Sequence, residues 1–378
     1  MPDDQDIQFL RRAIRLSMKG RGRVEPNPMV GCVIVKNGQV IGEAYHGRFG
    51  GPHAEPSALA ACTENCVGAT AYITLEPCCH TNKKTPPCTP RLINAGIQRA
   101  VIGCVDPNPN VDGRGIKMLR DAGVEVVCPM LEDESKQLNA AFIKRTLRAR
   151  PYVTMKWAES SNGKVAGAGG KRSQISNNRA MKVVHEMRAR SDTILVGINT
   201  VLTDDPQLTV RNVEIFRPLT RAVLDSSLRL PAESMLARTG ASEVVVFCAK
   251  ETYRSSPRVS ELESLGLKVN PIRSTAPDRL RLDDVLFDLD DKGQHILIES
   301  GPTLAQSFFE QNLCDRVWVI RSPKTIDAPE APNAPVLPGD YVKTGEVNID
   351  GDILVEYLNS NSPVFFANQP SADLVRLM

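Results

Sequence analysis

The sequence predicts an α/β protein built from two consecutive domains. Its 378 residues exceed one ordinary domain and suit two, and its 42% apolar and 24% charged residues suffice for two sizeable cores. Strand-like and helix-like segments alternate on both sides of Arg150-Pro151. We therefore expect one domain over residues 1–147, a second over 151–358, and a flexible tail over 359–378.

The first half opens with a helix over Asp6–Lys19, whose apolar residues recur at helical spacing. A hairpin follows, with strands at Val30–Lys36 and Val40–Tyr45 and the tight turn Asn37-Gly38 between them. Further strands are expected at Thr70–Leu75, Arg99–Cys104 and Val124–Cys128, and helices at Pro86–Ala95, Gly115–Ala122 and Glu132–Arg148. A hairpin followed by β-α units predicts a mixed sheet covered by helices, an α/β/α sandwich.

The second half repeats the alternation. Strands are expected at Tyr152–Ala158, Thr193–Val196, Arg221–Asp225, Val244–Cys248, Gln294–Glu299, Val317–Arg321 and Ile353–Tyr357, and helices at Asn178–Arg190, Ser256–Ser264 and Thr303–Gln311. The sequence contains no G-x-G-x-x-G fingerprint, so a standard Rossmann dinucleotide site is not expected here.

Composition and charge argue against several classes of protein. A formal net charge of +2 and 5% aromatic residues do not suit a basic groove with interleaved aromatic side chains, which a nucleic-acid-binding protein needs. No apolar stretch approaches the roughly 18 residues of a membrane span, and the acidic segment Met1–Asp6 differs from a signal peptide. We therefore expect a cytoplasmic protein that binds neither nucleic acid nor membranes. Thiols stay reduced there, so the ten cysteines are not a disulfide framework.

One group of residues has the composition of a metal site. His53-Ala54-Glu55 precedes Glu76-Pro77-Cys78, and Cys88 follows a Pro-rich loop. A catalytic zinc ion takes three protein ligands and keeps one position open for water, which one His and two thiolates satisfy. Glu55, placed at a helix start, can reach that water without binding the metal. This arrangement is typical of zinc-dependent nucleobase deaminases.

Five segments of the first half resemble one family specifically. They are Asn27–Val35, Gly51–Glu55, Thr74–His80, Thr85–Cys88 and Asp106–Gly115. Together they are similar to the bifunctional riboflavin biosynthesis proteins of the RibD family. Members combine a diaminohydroxyphosphoribosylaminopyrimidine deaminase with a 5-amino-6-(5-phosphoribosylamino)uracil reductase.

The resemblance implies a role for each matched residue of the first half. His53, Cys78 and Cys88 would bind zinc, and Glu55 would be the catalytic acid and base. The residues on the substrate side would be Asn27, His46, His80 and Lys84. The first domain is then a zinc-dependent pyrimidine deaminase with a cytidine-deaminase-like α/β/α sandwich.

Two segments of the second half, Ser191–Arg211 and Ile298–Leu304, resemble the reductase half of the same family. The resemblance implies an NADPH-dependent reductase with a dihydrofolate-reductase-like α/β fold. The residues that would contact NADPH are Ala158, Gln174, Thr200, Asp204, Ser300, Gly301, Pro302 and Thr303. Those that would contact the substrate are Arg188, Leu208, Arg211 and Glu299. The two arginines suit its ribose phosphate.

The implied function is a bifunctional enzyme with two consecutive reactions. Zinc-dependent hydrolytic deamination of 2,5-diamino-6-(5-phosphoribosylamino)pyrimidin-4(3H)-one precedes NADPH-dependent reduction of the ribosyl group to ribityl. The partner is thus a small phosphorylated pyrimidine. We also expect a homo-oligomer, a dimer or a tetramer.

Several alternatives stay open at this point. The loop between the two cysteines is one residue longer than the family's usual form, so Cys79 competes with Cys78 as the first thiolate ligand. A structural zinc ion with Cys79 or His80 as a fourth ligand is also compatible with the pattern. Asn162 and Gln174 replace the family's usual Asp and Trp, so the second half could be catalytically weak or only structural. A nucleic-acid deaminase is the remaining alternative.

Overall fold

The computed structural model describes residues 4–81, 85–171, 173–240, 243–276, 278–366, 370–371 and 374. The chain divides into two compact units, Met1–Arg148 and Ala149–Met378. Among the described residues, none of the helices combines the length and the apolar character that crossing a membrane requires.

The first unit alternates helices and strands. In chain order its helices are α1 (Asp4–Ser17), α2 (Ala54–Ala60), α3 (Cys88–Asn94), α4 (Arg114–Asp121), α5 (Glu132–Leu138) and α6 (Ala140–Arg148). Its strands are β1 (Gly31–Lys36), β2 (Gln39–Tyr45), β3 (Thr70–Leu75), β4 (Arg99–Cys104) and β5 (Glu125–Val127). Every strand predicted for this half is present, and β5 is shorter than predicted at both ends.

The five strands form one mixed sheet in the order β2-β1-β3-β4-β5. β1 is antiparallel to β2 and β3, whereas β3, β4 and β5 run parallel. Apolar side chains of α2, α3 and α4 pack on one face of the sheet. Those of α1 pack on the other face. The predicted α/β/α sandwich is therefore confirmed, and the carboxyl end of β3 directs the chain to Cys78.

The single helix predicted over Glu132–Arg148 is wrong at its centre. Two helices, α5 and α6, meet there at Asn139. The Asn139 side chain accepts a hydrogen bond from the Met29 N–H at 2.8 Å and donates one to the Met29 carbonyl at 3.0 Å. Because both ends of the amide bind backbone, Asn139 fixes the bend against the segment before β1.

The second unit has more elements than the sequence predicts. Its strands are β6 (Tyr152–Glu159), β7 (Thr193–Gly197), β8 (Thr220–Leu224), β9 (Val244–Ala249), β10 (Lys268–Ile272), β11 (Ser274–Ala276), β12 (Arg279–Leu280), β13 (His295–Glu299), β14 (Arg316–Arg321), β15 (Tyr341–Ile349) and β16 (Asp352–Asn359). Its helices are α7 (Asn178–Ala189), α8 (Ile198–Asp204), α9 (Met235–Arg238), α10 (Lys250–Ser255), α11 (Arg258–Ser264), α12 (Leu282–Asp290) and α13 (Pro302–Glu310).

In the described residues, the main sheet of this unit has the order β10-β9-β8-β7-β13-β6-β14-β16-β15. The strands from β10 to β14 in that order run parallel, and β16 and β15 add an antiparallel edge. Apolar side chains of α12 and α13 pack on one face and those of α7 on the other. The chain leaves β6 and β13 in opposite directions across the sheet. Ligands of open α/β sheets bind beside the carboxyl ends of strands at such a switch point.

The predicted tail contains packed residues. Val364, Ser371 and Leu374 are buried, and Leu374 joins the apolar cluster of α7, β14 and β16. The backbone N–H of Ser371 donates to the fully buried Glu356 carboxylate at 2.7 Å. These three residues of the predicted tail are therefore packed within the second unit. Residues 367–369, 372–373 and 375–378 lie outside the described part of the chain.

Candidate metal centre and reductase site

Three side chains of the first unit converge on one point. Nδ1 of His53 lies 3.6 Å from Sγ of Cys78 and 3.4 Å from Sγ of Cys88. A tetrahedral zinc ion with bonds of about 2.3 Å to sulfur and about 2.0 Å to nitrogen places such atoms about 3.5 Å apart. In the described part of the chain, no other trio of His, Cys, Asp or Glu is gathered in this way. The geometry and the donor set therefore fit zinc.

Each of these residues stands where a helix or strand begins or ends, so local backbone geometry fixes its direction. His53 is the N-cap of α2, and Cys88 is the first residue of α3. The carbonyl of Cys78 accepts hydrogen bonds from the N–H groups of Cys88 at 2.9 Å and Thr89 at 3.1 Å. The start of α3 is thereby tied directly to the loop that carries the other thiol.

The Glu76 carboxylate anchors the segment just before Cys78. It is buried and accepts four backbone hydrogen bonds, which come from Asp106 at 3.2 Å, Gly113 at 2.9 Å, Gly115 at 2.8 Å and Ile116 at 3.1 Å. These groups include N–H donors at the start of α4, which lack partners within the helix. Glu76 therefore holds the end of β3 and the start of α4 together.

The structure brings Cys78, and not Cys79, to His53. Sγ of Cys79 points to the carbonyl of Asn110 instead, at 3.7 Å. The Glu-Pro turn thus directs Cys78 inward, and the longer loop begins after it. Neither Cys79 nor His80 joins His53, Cys78 and Cys88 in this group, so the fourth position of a tetrahedral metal ion would stay open. This open position is what a catalytic metal site requires and a structural site lacks.

Glu55 lies in the first turn of α2 and is only 3% exposed. A hydrogen bond joins its carboxylate to Cys88. Its Oε2 atom, although buried, has no hydrogen-bond partner among the described residues. Burial raises the pKa of Glu55, and the charge of Cys78 raises it further. A buried carboxylate oxygen beside the trio, with nothing to bind, suits proton transfer to and from a water molecule there.

The structure describes three of the four residues expected on the substrate side of the deaminase, which are Asn27, His46 and His80. His46 is buried, its Nδ1 lies 2.9 Å from the Pro52 carbonyl, and its Nε2 lies 3.1 Å from Nδ2 of Asn27. The carbonyl can only accept, so Nδ1 carries the proton and Nε2 accepts from Asn27. Burial lowers the pKa of His46, which favours this neutral ring. Nδ1 of His80 is buried without a partner among the described residues, and Lys84 lies outside them.

In the second unit, a partly buried charge cluster lies near the carboxyl end of β13. Glu299 receives hydrogen bonds from Nε of Arg188 at 2.5 Å and from Nη2 at 3.0 Å. Lys156 of β6 is its register partner. Burial opposes the charge of Glu299, but the charges and hydrogen bonds of Arg188, with Lys156, outweigh it and lower its pKa to about 2. Burial also lowers the pKa of Lys156.

The expected substrate residues of this unit differ in their surroundings. Nη1 of Arg188 donates to the carbonyl of Thr209 at 3.0 Å, so all three nitrogens of this guanidinium are already bonded within the protein. Leu208 is buried in an apolar cluster. Arg211 is exposed, and its backbone N–H donates to Nδ1 of His185 at 3.2 Å. Of the two arginines expected at the ribose phosphate, only Arg211 presents its side chain to solvent.

The expected cofactor residues gather along the carboxyl edge of the parallel sheet. Ala158 lies near the end of β6, Thr200 and Asp204 lie on α8 after β7, and Ser300, Gly301, Pro302 and Thr303 follow β13. Gln174 is exposed, and its carbonyl accepts from Nζ of Lys324 at 3.0 Å. Gly301 is the N-cap of α13, and a Cβ built on it meets nothing within 4 Å. Oγ of Ser300 is buried without a partner among the described residues. An unpartnered hydroxyl and a helix start facing open space fit the phosphates of NADPH.

Asn162, which replaces the family's usual Asp, has a structural role. Its Nδ2 donates to the Ile326 carbonyl at 2.9 Å, and its Oδ1 accepts from the Ile326 N–H at 3.2 Å and from Oγ of Ser160 at 2.7 Å. An aspartate could not donate to that carbonyl. The substitution therefore joins the turn after β6 to the segment after β14.

Sequence reasoning missed Lys156 and the anchoring role of Glu76. The signal for Lys156 was available, because it is the single charge within the otherwise apolar run of β6 before Glu159. A charge in a strand that pairs on both sides requires a partner, and Glu299 provides it. The signal for Glu76 was weaker, since its four partners come from a loop some thirty to forty residues further along the chain.

Comparison with known proteins covers both halves of the chain. Residues 3–104 match the cytidine and deoxycytidylate deaminase zinc-binding region, and residues 151–340 match the RibD C-terminal domain. The riboflavin biosynthesis protein RibD of Aquifex aeolicus is 37% identical over 84% of this chain and 87% of its own length. RibD of Escherichia coli is 37% identical over 89% of this chain and 92% of its own length.

Solved structures of RibD proteins have the same fold as this chain. RibD of Acinetobacter baumannii superposes with a TM-score of 0.80 at 34% identity, covering 94% of this chain and 99% of that one. A diaminohydroxyphosphoribosylaminopyrimidine deaminase/5-amino-6-(5-phosphoribosylamino)uracil reductase of Thermotoga maritima has a TM-score of 0.79 at 35% identity, with the same coverage. The predicted fold class is therefore confirmed. The chain belongs to the RibD family of riboflavin biosynthesis proteins, enzymes that join a zinc-binding deaminase domain to a reductase domain.

Proposed function

We propose that this enzyme deaminates 2,5-diamino-6-(5-phosphoribosylamino)pyrimidin-4(3H)-one and then reduces the ribosyl group of the product to ribityl with NADPH. The observation that carries the proposal is the convergence of His53, Cys78 and Cys88 beside the unpartnered Oε2 of Glu55. The deaminase domain spans residues 1–147 and the reductase domain 151–358 of the chain.

In the deaminase, His53, Cys78 and Cys88 hold the zinc ion. When bound, zinc supplies a Lewis acid that makes a water molecule acidic near neutral pH. Glu55 would take one proton of the attacking water and pass it to the ring nitrogen, and it would then move the remaining hydroxyl proton to the departing amine. Its burial in the first turn of α2 keeps it beside this position.

Four residues form the substrate side of the deaminase: Asn27, His46, His80 and Lys84. Nε2 of His46 accepts a hydrogen bond from Asn27, so the amide oxygen of Asn27 is left to face a ring N–H of the pyrimidine. Nδ1 of His80 is a buried ring nitrogen with no partner in the described part of the chain. Lys84 supplies a positive charge for the phosphate of the substrate.

In the reductase, NADPH supplies the hydride for C1 of the opened ribose. Ser300–Thr303 at the start of α13 would hold the phosphates of NADPH, and Thr200, Asp204, Ala158 and Gln174 would complete the cofactor side. Hydride addition leaves a negative charge on the former carbonyl oxygen, which must gain a proton. Lys156 is a partly buried cation whose pKa is lowered by desolvation, so it can donate that proton. Glu299 binds the ribose hydroxyls, Leu208 borders the substrate, and Arg188 and Arg211 complete this side.

We place the enzyme in the cytoplasm and expect a homo-oligomer, a dimer or a tetramer. None of the ten cysteines, all of which the structure describes, forms a disulfide bond, and Cys78 and Cys88 must stay reduced to bind zinc. A reducing compartment maintains that state.

The experiment that tests the deaminase is Glu55→Gln. Glutamine fills the same space but cannot carry the proton, so we expect full zinc content and a loss of ammonia release of at least about 100-fold. Glu64→Gln, on the exposed loop after α2, is the matched control and should keep parental activity. Parental ammonia release by the Glu55 variant would contradict the assigned role. NADPH consumption with the deaminated substrate tests the reductase separately.

A further inference from the structure

Both ring nitrogens of His53 have neighbours in the structure. Nδ1 faces the sulfurs of Cys78 and Cys88, at 3.6 and 3.4 Å. Nε2, on the opposite side of the ring, lies 3.2 Å from Oγ1 of Thr85. The hydroxyl is therefore within hydrogen-bond distance of the nitrogen that faces away from the sulfurs.

The chemistry of imidazole assigns the direction of this hydrogen bond. A nitrogen that binds a metal offers its lone pair, so a neutral ring with Nδ1 as ligand carries its proton on Nε2. That N–H is partly buried and needs an acceptor. The oxygen of Thr85 accepts it, and this fixes both the tautomer and the rotation of the ring.

The backbone between Thr85 and Cys88 has little conformational freedom. Thr85 is followed by Pro86 and Pro87, and Cys88 comes next. A residue before proline is restricted to extended conformations, and proline fixes its own φ, which is −62° at Pro87. The hydroxyl of Thr85 is thus held at a nearly constant distance from the Cys88 thiol. The extra residue of the longer loop lies on the other side, between Cys78 and Thr85, and leaves this spacing unchanged.

We propose that Thr85 is a positioning residue, whose hydroxyl holds His53 with Nδ1 directed at the zinc position. The Thr-Pro-Pro-Cys segment then has two functions: it carries one ligand and orients another. The proposal rests on the proposed zinc site. Partners of this kind behind metal-binding histidines contribute about 10- to 100-fold to metal affinity.

The test uses the full-length chain, stripped of metal and titrated with zinc in competition with a chromophoric chelator. Thr85→Val keeps the shape and the extended backbone but removes the hydroxyl, and we expect its zinc affinity to fall by about 10- to 100-fold. Thr85→Ser restores the hydroxyl and should bind zinc as the parent does. Thr81→Val, an exposed threonine of the same loop, is the matched control and should bind zinc unchanged.

A second measurement reports on the ring itself. In long-range 1H–15N NMR spectra of the zinc-loaded parent, the Nε2 proton of His53 should exchange slowly with solvent, and it should exchange faster in Thr85→Val. Parental affinity and slow exchange in Thr85→Val would overturn the proposal. An equal loss of affinity in Thr85→Val and Thr85→Ser would also overturn it, since packing would then explain the effect. Failure of the zinc site itself gives a different result, because His53→Ala would then bind zinc as the parent does.

Discussion

Replacing Arg188 with methionine removes the cation from the most strongly perturbed carboxylate of the reductase unit. Arg188 donates two hydrogen bonds to Glu299, which is only 15% exposed in its side chain. Methionine keeps much of the apolar stem of arginine, so packing around α7 changes little. The substitution therefore leaves Glu299 in a buried position with Lys156 as its remaining nearby cation.

The magnitude follows from the pKa of Glu299. The surroundings lower this pKa from its ordinary 4.5 to about 2, which corresponds to about 3 kcal/mol of the free energy of unfolding. Because the folded-state pKa is depressed, this stabilisation is present above about pH 4.5 and is lost as the pH falls towards 2. Arg188 makes the largest favourable contribution to that shift, and removing one partner of a mostly buried ion pair typically costs about 3 kcal/mol or more, so we expect Arg188→Met to destabilise the unit by about 3 kcal/mol at pH 7. The difference from the parent should shrink at pH 3, because Glu299 of the variant, without Arg188, takes up a proton there, and the parent has already lost part of its stabilisation.

Urea unfolding followed by tryptophan fluorescence measures this effect selectively, because both tryptophans, Trp157 and Trp318, belong to the second unit. Arg179→Met, an exposed arginine at the start of α7, is the matched control and should stay within about 0.5 kcal/mol of the parent. A loss at pH 7 below about 1 kcal/mol, or a loss that is as large at pH 3 as at pH 7, would refute the reasoning.

Two further substitutions test the anchoring residues of each unit. Glu76→Gln removes one acceptor oxygen from a group that binds four backbone N–H donors. We expect calorimetry to show the first unit destabilised by about 2–4 kcal/mol, and chelator competition to show a lower zinc affinity. An unchanged zinc affinity would show that Glu76 does not support the metal site. Asn162→Asp restores the family's usual residue but loses the hydrogen bond to the Ile326 carbonyl. We expect it to lower the stability of the second unit by about 1 kcal/mol without raising the rate of NADPH consumption, and a faster rate would show that Asn162 limits the reductase.

The parts of the fold that depend on local patterns could be predicted from the sequence. The hairpin of β1 and β2 and most strands of the two main sheets follow from apolar runs and turn residues, whereas β10 and β15 were not predicted. Helix α12 was not predicted, although the sequence contains the signal for it: its buried residues recur at helical spacing, namely Leu282, Val285, Leu286 and Leu289. Strand β15 offered no such signal, because most of its side chains are partly or fully exposed and no single face is apolar.

For the site as well, residues within one sequence motif could be predicted, whereas contacts between distant segments could not. Motif spacing was enough to select His53, Glu55 and Cys88, whereas the choice between Cys78 and Cys79 needed the fold, which turns the second thiol towards Asn110. Arg188 shows the limit most clearly. Its resemblance to the family suggested a phosphate ligand, and that role stays a prediction, whereas the contact at 2.5 Å with the Glu299 carboxylate, 111 residues away in sequence, was not foreseen. Only tertiary structure determines which charges meet.

The central claim is that one zinc ion, held by His53, Cys78 and Cys88, is required for deamination. Its most direct test is metal analysis of the purified chain, paired with ammonia release from the diaminopyrimidine before and after chelation and after zinc is restored. We predict one zinc ion per chain, loss of ammonia release on chelation, and recovery when zinc is added back. Full activity in metal-free protein would contradict the account.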